Sequence, residues 1–365
     1  VDPGVFGSEE DVKEAVREGR LGSLLNIVGA EDVNEMQKIA VEESRLGIPL
    51  IIGRDVIHGY RTIFPIPLGM AASWNEDLVR ESAAIAAKEA SSMGINWTFA
   101  PMIDVTRDPR WGRIAESAGE DPLLNSMVAR AMVEGYQGDD LSDPNTIAAC
   151  AKHFVGYGAA EGGRDYNTTK IPDIYLHNIY LPPFKEAVNA GAATVMTAFN
   201  EINGIPASGD KRNIRGILKD DLDFDGFVVS DWASIQEMIP HGVAADKYEA
   251  GDLAMNAGID MDMISEGFVT HLKELVEEGK VSEKQIDVAV ARILEMKFLL
   301  GLFEDPYKYC DAKREEEVVM NSEHLKTARR AAQRSIVLLK NENEVLPLKK
   351  SETKKVGLIG PFVKE

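Results

Sequence analysis

Short runs of apolar, β-branched and aromatic residues recur at 24–28, 49–52, 95–103, 147–154, 193–199, 226–230 and 259–264, and longer stretches with helical spacing separate them. Apolar runs of this length suit strands buried on both faces, and a helix between successive runs is the connection that parallel neighbours require. Helix ends are written into the chain as well. Asn75 stands where an N-cap is needed before a helix over 76–93 that halts at Gly94. Ser282, with Gln285 three residues on, forms a capping-box pattern ahead of Ile286, Val290 and Ile293. The seven strand runs predict an α/β fold, a (β/α)8 barrel of TIM type with an irregular or missing first strand. An open doubly wound sheet is the alternative, but no glycine-rich phosphate fingerprint follows any strand.

The alternation stops near Gly301. Asp305, Pro306 and the charged stretch 313–317 read as a connection, a helix over 323–340 with one basic and one apolar face follows, and 356–359 reads as a buried strand. The expected organisation is a catalytic barrel over 1–302, a linker over 303–322, and over 323–365 the start of a second domain of α/β type. That second unit is expected to be incomplete, since one strand cannot bury its own faces.

Composition narrows the function. With 365 residues, 44% hydrophobic and 27% charged, the chain has room for a large domain and part of another, and disorder is excluded. Forty Lys and Arg against 60 Asp and Glu give −20, and basic residues gather only at Lys349, Lys350, Lys354 and Lys355, so no nucleic-acid partner is expected. No apolar run approaches the roughly 20 residues of a bilayer crossing, so no membrane partner is expected either. Cys150 and Cys310 are far apart and lack ligand spacing, and no metal or cofactor is expected. The sequence begins at Val1 without a recognisable signal peptide.

In a barrel, chemistry gathers where strands end and loops begin. That filter retains Asp55, Asp104, Lys152, His153, Met196, Asn200, Asp231, Asp260 and Asp262. Asp231 follows an apolar strand directly and precedes Trp232, whose aromatic face could stack on a sugar ring; a carboxylate there can be a nucleophile, a general base or a helix cap. Lys152 and His153 are neighbours and would point to opposite faces of a regular strand, so either one is structural or the chain leaves strand geometry, which Gly156 and Gly158 would permit. Lys152 could clamp hydroxyls or form a Schiff base. Asp55 lies near Arg61 and suits vicinal hydroxyls, although a surface ion pair would look the same, and Arg113 follows Trp111 in a turn-prone loop. Asp260 and Asp262 share a face and compete with Asp231, but lack its aromatic neighbour.

Taken together, 53–59, 64–71, 100–121 with Trp111, Gly112 and Arg113, 152–167, 195–203, 228–232, 241–246 and 335–341 resemble glycoside hydrolase family 3, in its β-glucosidase branch. The resemblance implies a retaining, exo-acting β-glycosidase that releases terminal β-D-glucose through a covalent intermediate on Asp231. It also implies a sugar subsite lined by Asp55, Arg61, Arg113, Lys152, His153, Met196 and Trp232. Two departures stand out. Phe199 occupies a position where the family often has Tyr, and the acid/base Glu of this branch comes from the second domain, which has only begun at Glu365. The implied partner is a carbohydrate substrate, with a homodimer as the assembly to consider, and the implied location is periplasmic or secreted. A Schiff-base lyase using Lys152 and a sugar-binding barrel without turnover are the competing readings.

Overall fold

The computed structural model describes residues 8–360 and Val363. Its strands are β1 (Ser23–Leu25), β2 (Ile51–Arg54), β3 (Trp97–Thr98), β4 (Cys150–Phe154), β5 (Thr194–Thr197), β6 (Glu201–Ile202), β7 (Ile205–Pro206) and β8 (Phe227–Val229). β1, β2 and β3 form one parallel sheet, β4, β5 and β8 another, and β6 with β7 a small antiparallel hairpin. Single parallel bridges, Trp97 to Ala148 and Met102 to Lys152, join the two sheets, and a bridge from Val229 to Met261 adds the 259–264 segment. The Ser23 hydroxyl, 4.0 Å from the Met261 sulfur, brings the first and last members together. All seven predicted runs therefore stand in one barrel-like ring, with no eighth parallel strand among the described residues.

The runs are longer than the regular strands they produce. Pro101 has no N–H to give a ladder, and β3 ends at Thr98. The carbonyls of Ala100 and Pro101 nevertheless accept from Cys150 and Lys152, which keeps 100–103 against β4.

Helices wrap the ring: α1 (Glu9–Arg17), α2 (Ala30–Lys38), α3 (Glu76–Ser92), α4 (Pro122–Gln137), α5 (Pro182–Asn189), α6 (Lys247–Ala257), α7 (Gly267–Glu277) and α8 (Glu283–Leu299). The predicted starts of α3 and α8 are made as expected. Asn75 accepts the Leu78 N–H at 3.0 Å, and Ser282 with Gln285 forms a reciprocal capping box. Gly135 lets α3 and α4 approach closely, because a Cβ there would lie 2.4 Å from the Arg80 carbonyl oxygen. Inside the ring, Leu25, Ile51, Trp97, Cys150, Met196, Phe227 and Val229 pack together with Met296, Leu300, Leu302 and Tyr309. Lys297 donates to the Gly22 and Pro49 carbonyls, just ahead of β1 and β2, so this last group plugs the N-terminal end of the barrel.

Beyond the barrel lie α9 (Ala312–Val318) and α10 (Ser322–Arg334). The predicted helix over 323–340 stops at Arg334; the β-branched pair Ile336 and Val337 lies in a stretch without regular secondary structure, and 336–339 are exposed. The predicted buried strand over 356–359 is corrected too: it joins no ladder among the described residues, and Ile359 is 96% exposed, because a lone strand has no neighbour to cover either face. α10 is tied to the barrel through Glu89 of α3. That buried carboxylate accepts the main-chain N–H groups of Arg61, Thr62 and Met320 and the Thr62 hydroxyl, and sits 2.8 Å from His324 Nδ1.

Candidate active site

The C-terminal ends of the strands hold most of the residues the sequence singles out. Asp55 follows β2 and Asp104 ends the 95–103 run, while Lys152 and His153 lie in β4 and Asp231 comes two residues after β8. The Lys152–His153 difficulty is resolved by β4 itself, whose register against β5 shifts between Ala151 and Phe154. Strict alternation is lost there, and both side chains serve the same end of the barrel. Lys152 Nζ donates to Asp55 Oδ1 at 2.7 Å, while His153 Nε2 lies 3.4 Å from Asp231 Oδ2. Gly158 closes the loop beyond, where a Cβ would come within 2.3 Å of the Val105 carbonyl oxygen.

Asp231 is only 8% exposed. Its Oδ1 accepts the Trp232 N–H at 2.6 Å, and its Oδ2 has no hydrogen-bond partner among the described residues. Burial pushes its carboxyl up to about 6, against the pull of the Lys152 and Arg113 charges and the Trp232 N–H. At neutral pH it is therefore largely an anion, but one whose charge is poorly solvated. Trp232 itself is 38% exposed at the mouth.

Asp260 and Asp262 drop out as competitors. Asp260 is spent on structure: its oxygens accept Lys219 Nζ and the Val228 N–H, both at 2.8 Å, and Arg292 at 3.1 Å. Asp262 accepts the Ser265 and Phe268 N–H groups and shapes its own loop.

Other predicted residues are placed less simply. Arg113 acts on Asp231 through its charge but is paired bidentately with Glu116 at 2.7 and 2.9 Å, its guanidinium 5.5 Å from the Tyr157 ring centroid. Met196 lies on β5 among the interior apolar side chains. Arg61 is exposed, its main chain is held by Glu89, and no contact joins its side chain to Asp55, Lys152 or Asp231 among the described residues. Phe199 packs against Tyr166 and Tyr157, with centroids 4.4 and 5.8 Å apart, as part of an aromatic wall that includes Trp111, whose indole N–H donates to Asp165.

The sequence filter retained Asp104 without giving it a role, and the structure buries it against His153: its Oδ2 lies 2.8 Å from Nδ1 and accepts the His153 main-chain N–H at 3.0 Å. Glu237 was missed altogether. It is half-buried, and burial together with the Asp231 charge raises it to about 7. Its only sequence signal is a position six residues after Asp231, too weak to separate it from other surface carboxylates. Among the described residues no group of three or more His, Cys, Asp or Glu side chains could hold a metal ion. No helix among them is long and apolar enough to cross a membrane.

Comparison with known proteins gives a consistent picture. Residues 5–296 match the glycosyl hydrolase family 3 N-terminal domain. The chain is 42% identical over 365 residues to the periplasmic β-glucosidase of Salmonella typhimurium, covering 99% of this chain and 48% of that protein. It superposes on a β-glucosidase from Listeria innocua in complex with glucose at a TM-score of 0.89 and 43% identity, covering 95% of this chain and 50% of that one. A mutant of the Listeria protein in complex with laminaribiose gives a TM-score of 0.90 at 43% identity, with 96% and 50% covered. The chain thus spans about half the length of the relatives it matches.

Proposed function

This chain belongs to glycosyl hydrolase family 3, and from that premise we propose that it forms the catalytic barrel of a retaining, exo-acting β-glycosidase releasing terminal non-reducing β-D-glucose. One observation carries the reading: Asp231 is a buried carboxylate at a strand end, with one oxygen fixed by the Trp232 N–H and the other without a hydrogen bond among the described residues, 3.4 Å from His153. A nucleophile needs this combination of fixed position and unsolvated lone pairs. Oδ2 attacks the anomeric carbon, the glycosidic C–O bond breaks as a general acid protonates the leaving oxygen, and water later hydrolyses the glycosyl ester with retention.

The Lys152–Asp55 pair supports the sugar subsite, since the ammonium donates to hydroxyls and the carboxylate accepts from them. An amine already engaged at 2.7 Å is arranged as a clamp and not as a free Schiff-base nucleophile. Arg113, His153, Met196, Trp232 and Arg61 complete the proposed subsite, Trp232 by stacking its exposed indole on the ring. The proton donor we assign to a Glu of a second domain, which we place as beginning at 323 after a linker over 303–322. The family relative named periplasmic supports a periplasmic or secreted location.

The test is the stereochemistry of the first-formed sugar. Proton NMR of an aryl β-glucoside digest should show the β-anomer of glucose before mutarotation, and the aryl β-xyloside should react more slowly. First release of the α-anomer would contradict the mechanism, and inactivation by borohydride through Lys152 in the presence of a carbonyl substrate would replace it with the lyase.

A further inference from the structure

We propose that Asp104 is a positioning residue that fixes the ring and the tautomer of His153, so that a bare Nε2 faces Asp231 and the sugar hydroxyl nearest it. The inference rests on the reading of Asp231 as nucleophile and adds a residue which that reading leaves without a role. Asp104 Oδ2 meets two nitrogens of one residue, the His153 main-chain N at 3.0 Å and Nδ1 at 2.8 Å. The main-chain group is necessarily a donor. A carboxylate oxygen satisfies both contacts only when Nδ1 also carries its hydrogen; a bare Nδ1 would set lone pair against lone pair. Both side chains are 1% exposed.

His153 is neutral. Burial drives its pKa well down, and the positive charges of Arg113 and Lys152 push the same way. A neutral imidazole has a single N–H, so placing it on Nδ1 leaves Nε2 an acceptor. The other side of the ring agrees: Nε2 and Asp231 Oδ2 face each other at 3.4 Å, both buried and neither hydrogen-bonded among the described residues, as two acceptors would. A sugar hydroxyl at this edge brings one hydrogen, and Nε2 is the acceptor placed to take it. His153 then accepts from the substrate instead of donating to it, and Asp231 Oδ2 stays available to the anomeric carbon.

The charged groups around this axis are Lys152, Arg113 and Asp55 on Asp231, with Glu237 and Tyr166 also within its field. Arg113, Lys152 and Glu116 surround Asp104, which burial raises to about 7. Above that pH Asp104 is ionised and acts as acceptor.

The tautomer can be read in the intact protein by nitrogen-15 NMR of labelled histidine at about pH 8.5, above the ionisation of Asp104. The expected result is a protonated Nδ1 and an unprotonated Nε2 for His153; an Nε2–H in the unsubstituted protein would overturn the proposal without any variant. In Asp104→Leu no acceptor is left to hold Nδ1–H, the hydrogen moves to Nε2, and Nε2–H then donates to Asp231. That variant should lose kcat by about 100-fold, and the acidic limb of its kcat/KM profile should move down by about one pH unit, because Asp231 gains a donor. An unchanged tautomer, or a limb that stays put while kcat falls, would reduce Asp104 to packing. If neither protein hydrolyses glycosides, the function fails and the NMR result still decides the tautomer.

Discussion

Replacing Asp231 by Asn should abolish turnover and, at the same time, make the protein more stable at neutral and alkaline pH. The second effect follows from burial. The carboxyl rises from 3.8 to about 6 on folding, a shift of about two pH units, and at about 1.4 kcal/mol per unit the ionised form costs the folded state about 3 kcal/mol. A group raised by folding stabilises the native state below its unfolded pKa and loses that contribution as pH rises through the folded value. The penalty is therefore absent below about 4 and complete above about 7. Asn keeps an oxygen for the Trp232 N–H and carries no charge, so it escapes the penalty. Unfolding entropy of about 2.1 cal/mol/K per residue over 365 residues gives about 0.8 kcal/mol/K, and the gain corresponds to about 4 °C in Tm. Thermal unfolding of both proteins at pH 8 and pH 4, followed by circular dichroism, reads it directly. A variant that is no more stable at pH 8, or that gains equally at pH 4, would refute the burial argument.

Further outcomes follow from the same geometry. The acidic limb of kcat/KM should fall near pH 6, where the Asp231 carboxyl takes up its proton, and a limb near pH 4 would show a solvated nucleophile. Lys152→Ala removes the charged donor paired with Asp55 and should lower kcat/KM on an aryl glucoside by about 10- to 100-fold; a loss under about threefold would remove Lys152 from the subsite. Glu89→Ala strands the groups that converge on one buried carboxylate and should cost about 3 kcal/mol or more in urea unfolding. It should also open 318–322 to limited proteolysis, and a variant as stable as the parent would show that α10 is held by other means. Because folding lowers the Glu89 pKa, its contribution is present above the ordinary carboxylate range and is lost as pH falls through the folded value.

The barrel is legible in the sequence because its strands are buried on both faces, and continuous apolar runs mark them without help from tertiary context. All seven runs enter the ring. Their lengths are less legible, since Pro101 interrupts one ladder and the bulge in β4 another, and the position of a bulge depends on what the side chains reach. The C-terminal stretch misleads for the opposite reason: Val356 and Ile359 have strand-like composition, but composition does not supply a neighbour, and both are exposed. At the proposed site, Asp231, Lys152, His153 and Asp55 stand at strand ends, the positions the barrel rule selects. Asp104 passed the same rule without a role, because its contact with His153 spans 49 residues and leaves no local pattern. Arg113 is legible as a charge, while nothing in the sequence singles out Glu116, three residues on, as its partner.

The central claim concerns one carboxylate, and a 2-deoxy-2-fluoro-β-glucoside with an activated leaving group interrogates it most directly. Fluorine slows hydrolysis of the glycosyl ester, and the intermediate accumulates long enough to be digested and mapped by mass spectrometry. The account predicts stoichiometric inactivation of the intact protein, with the fluoroglucosyl mass on the peptide containing Asp231 and fragment ions placing it on that residue. A label on any other carboxylate, Glu237 and Asp55 included, would contradict it.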